Sequence, residues 1–426
     1  MADTIALKGV EGGATGVTPV TPGARNRAID ALRGFALLGI LVMNMPVFAL
    51  SYFAFMNPPV GGGFEGADYA AWLGGHLFFD LKMMSIFSML FGAGFLLMME
   101  RAAARGRSAA GTYYRRIGWL AVIGLAHAYL LWYGDILFTY ALCGALLYPV
   151  RRVPAVWLAV MGAAMMSVAM IASVAMGGAL GMMRDSMPDE FAKAMLGFAP
   201  TAEMLAEERA TMLGSYPGYV GLNASHAIMM QTLLFVIWGL WRVVGLMLLG
   251  MALLKWGVLS GLRSRRFYAV LALVGFGLGL PLVWAGARRL VASDFDFVEL
   301  FLVNWHFNYV GSVAVAMGWI GVVMLVVNAG VVGWLVSALA AVGRMALSNY
   351  LAHTLICTVV FCGWGFGWWG SLSRAELLVV VAAIWTAQLI WSPLWLSRFR
   401  FGPAEWVWRS LTYWKLQPMR SGAAGA

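Results

Sequence analysis

Ten apolar runs, each bounded by charge or by Gly/Pro clusters, decide what this chain can fold into. They lie at roughly 34–55, 75–99, 117–133, 136–150, 155–182, 227–254, 267–287, 308–328, 345–363 and 375–397. Only helices and closed barrels satisfy their backbone polar groups in lipid, and about 20 apolar residues suffice for a helix to cross. The expected fold is therefore all-α and polytopic, with about ten transmembrane helices. The third and fourth runs are short and can form one helical hairpin turning at Gly134-Asp135. The segment Gly333 to Val342 is too short to span and is read as lying along the interface. Composition agrees, with 11% charged residues and a mean hydropathy of +0.80, where soluble domains carry about 25% charge.

Charge sets the orientation. With ten crossings and the N-terminus inside, twenty-one Lys and Arg fall on inner segments and six on outer ones. That asymmetry predicts N-in and C-in, and it explains the basic excess without nucleic acid as a partner. The expected partners are membrane lipids, with a homodimer as a candidate assembly. Residues 1–24 and 416–426 read as disordered cytoplasmic tails flanking one transmembrane domain at 25–415, whose long outer loop is 183–226. Within that loop, Pro200 to Leu213 has helical periodicity and reads as a helix over the outer face, either a lid or a solvated connector. Cys143, Cys357 and Cys362 show no metal-ligand spacing, and no metal is expected.

Ionisable groups inside apolar helices are costly, so each is a candidate for function or for a buried pair. Arg242, in the middle of LLFVIWGLWRVVGLMLLGMALL, requires a carboxylate such as Asp80 or Asp135, a wet cavity, or an anionic ligand. Asp80 and Lys82, two residues apart, lie about 200° apart around a helix and so need separate partners. His127 and Asp135 are separated by about 12 Å and 80° on one straight helix, which argues against a His–Asp dyad. His127 is then either a satisfied core residue or a base, and Asp135 either a helix cap or part of a site. Asn349 and His353, four apart in GRMALSNYLAHT, share a helix face; His306 reads as interfacial. Arg33 and Asn44, about 16 Å apart along the first helix, tie an ionic cluster at the inner face to an amide within the bilayer. Gly275-Phe-Gly-Leu-Gly279 reads as a close helix contact rather than a nucleotide loop.

The segments IDALRGFALLGILVMN, FSMLFGAGF, GLAHAYLLWYGDIL, GRMALSNYL and FGPAEWVWRSLTY resemble the YeiB-like family of bacterial inner-membrane proteins, a domain of unknown function. The likeness runs from Arg25 to Lys415. That family is in turn similar to a transmembrane acyltransferase superfamily that includes heparan-α-glucosaminide N-acetyltransferase. Its members carry an acyl group from cytoplasmic acyl-CoA to a sugar or lipid on the far side. The resemblance implies acyl-CoA, in the first instance acetyl-CoA, as co-substrate, and a sugar or lipid acceptor. His127, Asp80, His76 and Asn44 are its catalytic candidates. Arg33, Asp30, Arg242, Asp135, Asn349, His353, Lys82, Glu405 and Arg409 are its binding candidates. Two departures stand out: Asn44 occupies a position where acyltransferase-three members carry His, and the Asn57–Gly75 loop holds no His. The competing expectation is a transporter of a small anionic or lipid-like solute, its path lined by Asp80, Lys82, Asp135 and Arg242.

Overall fold

The structure, a computed structural model, describes residues 26–420 apart from Arg107; the expected tail at 1–24 and residues 421–426 of the other tail lie outside it. In chain order the helices are α1 Arg27–Ala49, α2 Gly66–Phe78, α3 Lys82–Ala103, α4 Ala110–Leu130, α5 Leu137–Ala145, α6 Leu147–Val150, α7 Ala155–Ser186, α8 Pro188–Met195, α9 Ala202–Met212, α10 Tyr216–Met229, α11 Leu240–Lys255, α12 Arg265–Ala292, α13 Phe297–Glu299, α14 Trp305–Ala329, α15 Gly333–Arg344, α16 Ala346–Phe361, α17 Arg374–Arg398 and α18 Pro403–Tyr413. Two π-helical stretches, Met230–Gly239 and Leu300–Asn304, join α10 to α11 and α13 to α14. The protein is all-α and multi-pass. Among the described residues seven helical segments are long and apolar enough to cross a membrane, or eight if the bent pair α15–α16 counts as one. Each of the ten apolar runs is largely helical; those in α4, α5–α6 and α16 fall outside the seven, and the bent pair brings α16 back as the eighth.

Three local differences from the sequence reading have physical causes. The run at 75–99 is interrupted at Phe79–Leu81, where Leu81 turns left-handed with φ of 61°, because flanking polar side chains are held by a neighbouring helix. The segment before Arg344 packs Val336, Ala340 and Gly343 against α1 and meets α16 at 81°. The loop at 183–226 is largely helical: α9 forms where a helix was expected, and α10 starts at Tyr216, eleven residues before the expected apolar run.

Glycine sets the tightest crossings. A Cβ on Gly343 would lie 1.9 Å from the Asp30 carbonyl oxygen, and one on Gly34 2.0 Å from that of Leu339. The glycines of both family-like segments are therefore the contact of α1 with α15. The Gly275–Gly279 segment serves α12 and α14 likewise, since a Cβ on Gly275 would meet the Gly318 nitrogen at 2.4 Å.

Charged side chains gather at two poles. One pole holds Asn26 bonded to the Ser260 carbonyl, Arg27 to Ser337, and Lys255 to the carbonyls of Arg151 and Val153. Arg116 stacks on Trp408 there at 4.1 Å, and the backbone of Arg400 pairs with that of Met419. At the other pole, Arg374 donates to the carbonyls of Ala54, Pro58, Gly61 and Gly63.

Glu405, expected to bind a ligand, instead closes a helix end. Its carboxylate accepts from the backbone of Leu347 and Ser348 (2.6 and 3.2 Å) and from the Ser348 hydroxyl (2.5 Å), capping α16 from a different helix. Burial pushes its carboxyl pKa up, against those hydrogen bonds, which pull it down. A neutral amide at this place still accepts from the backbone and avoids burying a charge. Glu405→Ala is expected to cost about 2–3 kcal/mol, read as a lowered unfolding midpoint, and Glu405→Gln less than half of that.

Candidate functional site

Three polar assemblies lie inside the helical body. The first sits at the α2–α3 break. His76 Nδ1 lies 3.2 Å from Asp80 Oδ2, and Asn308 of α14 donates to the same oxygen at 2.7 Å. Lys82 donates to Asn308 Oδ1 at 2.6 Å and to the His76 carbonyl. Asp80 and Lys82 are not paired directly; one amide serves both. Arg242, fully buried, has no carboxylate within ion-pair reach among the described residues. Its guanidinium donates to the Tyr309 carbonyl (3.0 Å) and to the hydroxyls of Ser85 (3.0 Å) and Ser312 (2.7 Å), and stacks on the Tyr309 ring. The expected ion pair with Asp80 or Asp135 is thus replaced by neutral acceptors.

The second assembly overturns the argument against a dyad. Helix α4 stops at Leu130, and the chain reverses through Trp132–Gly134, so His127 and Asp135 do not share a straight helix. Gly124 permits the return, since a Cβ there would lie 2.4 Å from the Phe138 nitrogen. His127 Nδ1 lies 2.9 Å from Asp135 Oδ1, and its Nε2 lies 2.9 Å from the Thr354 hydroxyl. A carboxylate only accepts, so Nδ1–H donates to Asp135 and Nε2 is left to accept from Thr354. Asp135 Oδ2 also accepts from the Phe138 nitrogen at 2.7 Å, so the capping reading holds alongside the dyad. Both side chains are almost wholly enclosed. Hydroxyl, base and orienting carboxylate in this order are the parts of an acid–base relay.

A cavity of about 20 Å³, enough for one water, lies one helical turn beyond that relay. It is lined by Thr358, whose hydroxyl bonds the Thr354 carbonyl, and by Trp132, whose amide bonds the His127 carbonyl. The other wall is α10, which supplies acceptors and donors to the end of α4. Asn223 donates to the carbonyls of Ala128 and Tyr129, and the hydroxyls of Tyr216 and Tyr219 reach Leu130 and Leu131. His226 stacks on Tyr52 at 4.5 Å and meets Tyr133 edge-on. Above them α9 turns Glu208 inward, where its carboxylate accepts from Ser51 Oγ at 2.5 Å and from the Tyr52 nitrogen at 2.9 Å.

Burial pushes the Glu208 carboxyl pKa up, while the bonds from Ser51 and Tyr52 pull it down. The folded value lies above the unfolded one, so the protonated form stabilises the closed contact. That stabilisation is full below the unfolded pKa of about 4.5 and is lost as pH rises through the folded value. Amide exchange in α9 is therefore expected to slow as pH falls from neutral toward 4.5, after correction for intrinsic rates. In Glu208→Gln this dependence should disappear.

The remaining candidates take structural places. Asp30 and Arg33 pair with each other at 2.8 Å. Asn44 is half-buried and makes no side-chain hydrogen bond to a described residue. Asn349 and His353 bolt α16 to α17, with His353 Nε2 bonded to Gln388 and Asn349 bonded to Ser392 and Trp391. Arg409 lies over the Phe401 ring. His306 Nε2 meets the Phe301 carbonyl at 3.1 Å. All three cysteines are buried free thiols. Thr354, Glu208, Asn223 and His226 were not singled out by sequence reasoning. The i,i+3 pair Asn223 and His226 was a usable signal, hidden because the apolar run was read as starting at 227.

The family described as a protein of unknown function, DUF418, matches residues 253–415. The chain is 31% identical to the uncharacterized protein YeiB of Escherichia coli (strain K12) over 405 residues, spanning 91% of this chain and 96% of that one. It is 28% identical to the uncharacterized protein YxaH of Bacillus subtilis (strain 168), spanning 94% and 97%. No solved structure matches. With a likeness at this level that runs almost end to end, the chain belongs to the YeiB-like family of membrane proteins.

Proposed function

We propose that the protein is a transmembrane acyltransferase of the bacterial inner membrane, moving an acyl group from cytoplasmic acyl-CoA to a sugar or lipid acceptor on the far side. The observation that carries this reading is the buried Asp135–His127–Thr354 relay one helical turn from a cavity at the opposite pole from the main basic cluster. His127 Nε2 takes the proton of the acceptor hydroxyl or amine, the new acyl bond forms as the C–S bond breaks, and the proton passes to the departing thiolate. Asp135 holds the imidazole in the tautomer this requires. Thr354 occupies the place that an acceptor hydroxyl would take. Arg33 and Arg116, at the basic pole, offer charge to the donor's phosphates. Because the relay is enclosed, substrates enter through a motion of the helices over the cavity. Purified protein is expected to bind and slowly hydrolyse acetyl-CoA. Undetectable binding of common acyl-CoAs at millimolar concentration would sink the reading.

A second reading rests on a different observation, the break at Phe79–Leu81 beside Asp80, Lys82 and Arg242. Broken helices with charged groups at mid-membrane are how transporters hold solutes and coupling ions. It predicts proton- or ion-coupled flux of a small anionic or lipid-like solute in vesicles, abolished in Arg242→Ala. Normal flux in that variant would remove it.

A further inference from the structure

Two buried indoles at the α9–α10 cavity make no hydrogen bond. Trp132 and Trp369 are 4% and 5% exposed, both line the cavity, and the Nε1–H of each lacks an acceptor among the described residues. Buried indole N–H groups ordinarily find partners, and an unsatisfied donor costs about 1–3 kcal/mol. A space this small holds about one water, which leaves the ring faces around it without a partner. The same cavity presents the rings of Phe48, Tyr52 and Tyr133, and a single carboxylate, Glu208. The His226 ring nitrogens make no hydrogen bond to a described residue either.

This complement selects a ligand class. A cation would suit Glu208 and the aromatic faces but leave both indole donors unserved. An anion would suit the indoles, but among the described residues no Lys or Arg lines the cavity and Glu208 would repel it. A neutral ligand that both accepts and donates, with a face to lay on aromatic rings, satisfies every group. We infer that this cavity is the closed form of a carbohydrate-binding site, in which Trp132 and Trp369 donate to ring hydroxyls, Glu208 accepts from one, and Tyr52, Tyr133 and His226 pack on the sugar face. Glu208 is at present held by Ser51 and Tyr52. Exchange of those two donors for a sugar hydroxyl, with α9 lifting, opens room for the ring. That the bound sugar is the acyl acceptor rests on the acyl-transfer reading; that it binds here does not.

The test uses the full chain in lipid nanodiscs free of glycoside detergent, with tryptophan emission as the signal. Glucose, N-acetylglucosamine and an alkyl glucoside are titrated to about 100 mM, beyond the millimolar affinity of a weak site, with choline and glycine betaine as controls. A saturable change with at least one sugar is expected, weakened about tenfold in Trp132→Phe, which keeps a ring and removes the donor. Trp369→Phe and Tyr52→Leu, which removes a stacking ring, serve as further variants should Trp132→Phe fail to fold. Saturation by the alkyl glucoside alone assigns the sugar to a lipid, and saturation by free hexose assigns it to a soluble source; both support the site. No saturation by any sugar, undiminished binding in all three variants, or saturation by choline or betaine instead overturns it. Acetyl-CoA hydrolysis in the same nanodiscs separates the two claims. Sugar binding without hydrolysis refutes the acyl-transfer reading alone, and hydrolysis without sugar binding refutes the site alone.

Discussion

Asp135→Asn is expected to lower acyl-transfer turnover by about 10³- to 10⁴-fold with little change in unfolding midpoint. The asymmetry follows from hydrogen-bond polarity. Asp135 Oδ2 accepts from the Phe138 nitrogen and Oδ1 accepts from His127 Nδ1–H. An asparagine of the same shape keeps the first bond through its carbonyl oxygen and turns its amide N–H₂ toward His127. Nδ1 must then accept, so the proton moves to Nε2, which points at Thr354. A histidine protonated at Nε2 cannot take a proton from an acceptor there. The same inversion of tautomer costs a serine-protease triad about 10⁴-fold with its geometry intact. The measurements are acetyl-CoA turnover and the thermal midpoint of the same preparation. Unchanged turnover in a folded variant would remove His127 as the base. A collapsed midpoint would mean that the dyad is a structural brace for the α4–α5 turn. His127→Ala is a poorer probe, because it leaves Asp135 Oδ1 and the Thr354 hydroxyl buried without a partner.

The same residues show how far the sequence could be read. The apolar runs locate membrane helices because lipid allows few alternatives, and the glycines of Gly275–Gly279 mark a close crossing because backbone approach needs a missing Cβ. Charge asymmetry separates two poles that the structure also keeps apart. Side-chain partners were not legible in the same way. The dyad was dismissed from helix geometry that was sound, but it applied to a helix that ends three residues after His127. Glu208 and Ser51 stand 157 residues apart in the chain, and no periodicity links them. Glu405 sits in the family-like segment FGPAEWVWRSLTY and works as a cap, so a distinctive motif here marks architecture as well as chemistry.

Arg242→Ala is expected to destabilise the protein by about 3–5 kcal/mol, from the cavity left by a large side chain and the buried hydroxyls left unpaired. The guanidinium serves three acceptors, two hydroxyls and a carbonyl, and is itself fully buried. Alanine leaves the hydroxyls of Ser85 and Ser312 facing an empty volume, with no water-accessible route evident from their complete burial. Arg242→Met separates packing from charge, since it fills much of the space and removes the cost of holding a cation away from water. Its midpoint should lie above that of Arg242→Ala, because buried ionic groups replaced by well-packed apolar ones are often neutral or stabilising. Arg242→Lys should fall between them, as an ammonium on a shorter reach cannot form the same planar fork. Function then divides the two readings. The relay of Asp135, His127 and Thr354 shares no hydrogen bond with Arg242, so a folded Arg242→Met enzyme should retain acyl transfer within about tenfold. A solute path through Asp80, Lys82 and Arg242 predicts the reverse, a stable variant with no flux. A midpoint for Arg242→Ala within about 1 kcal/mol of the wild type would show that water reaches this cluster, and would favour the path over the brace.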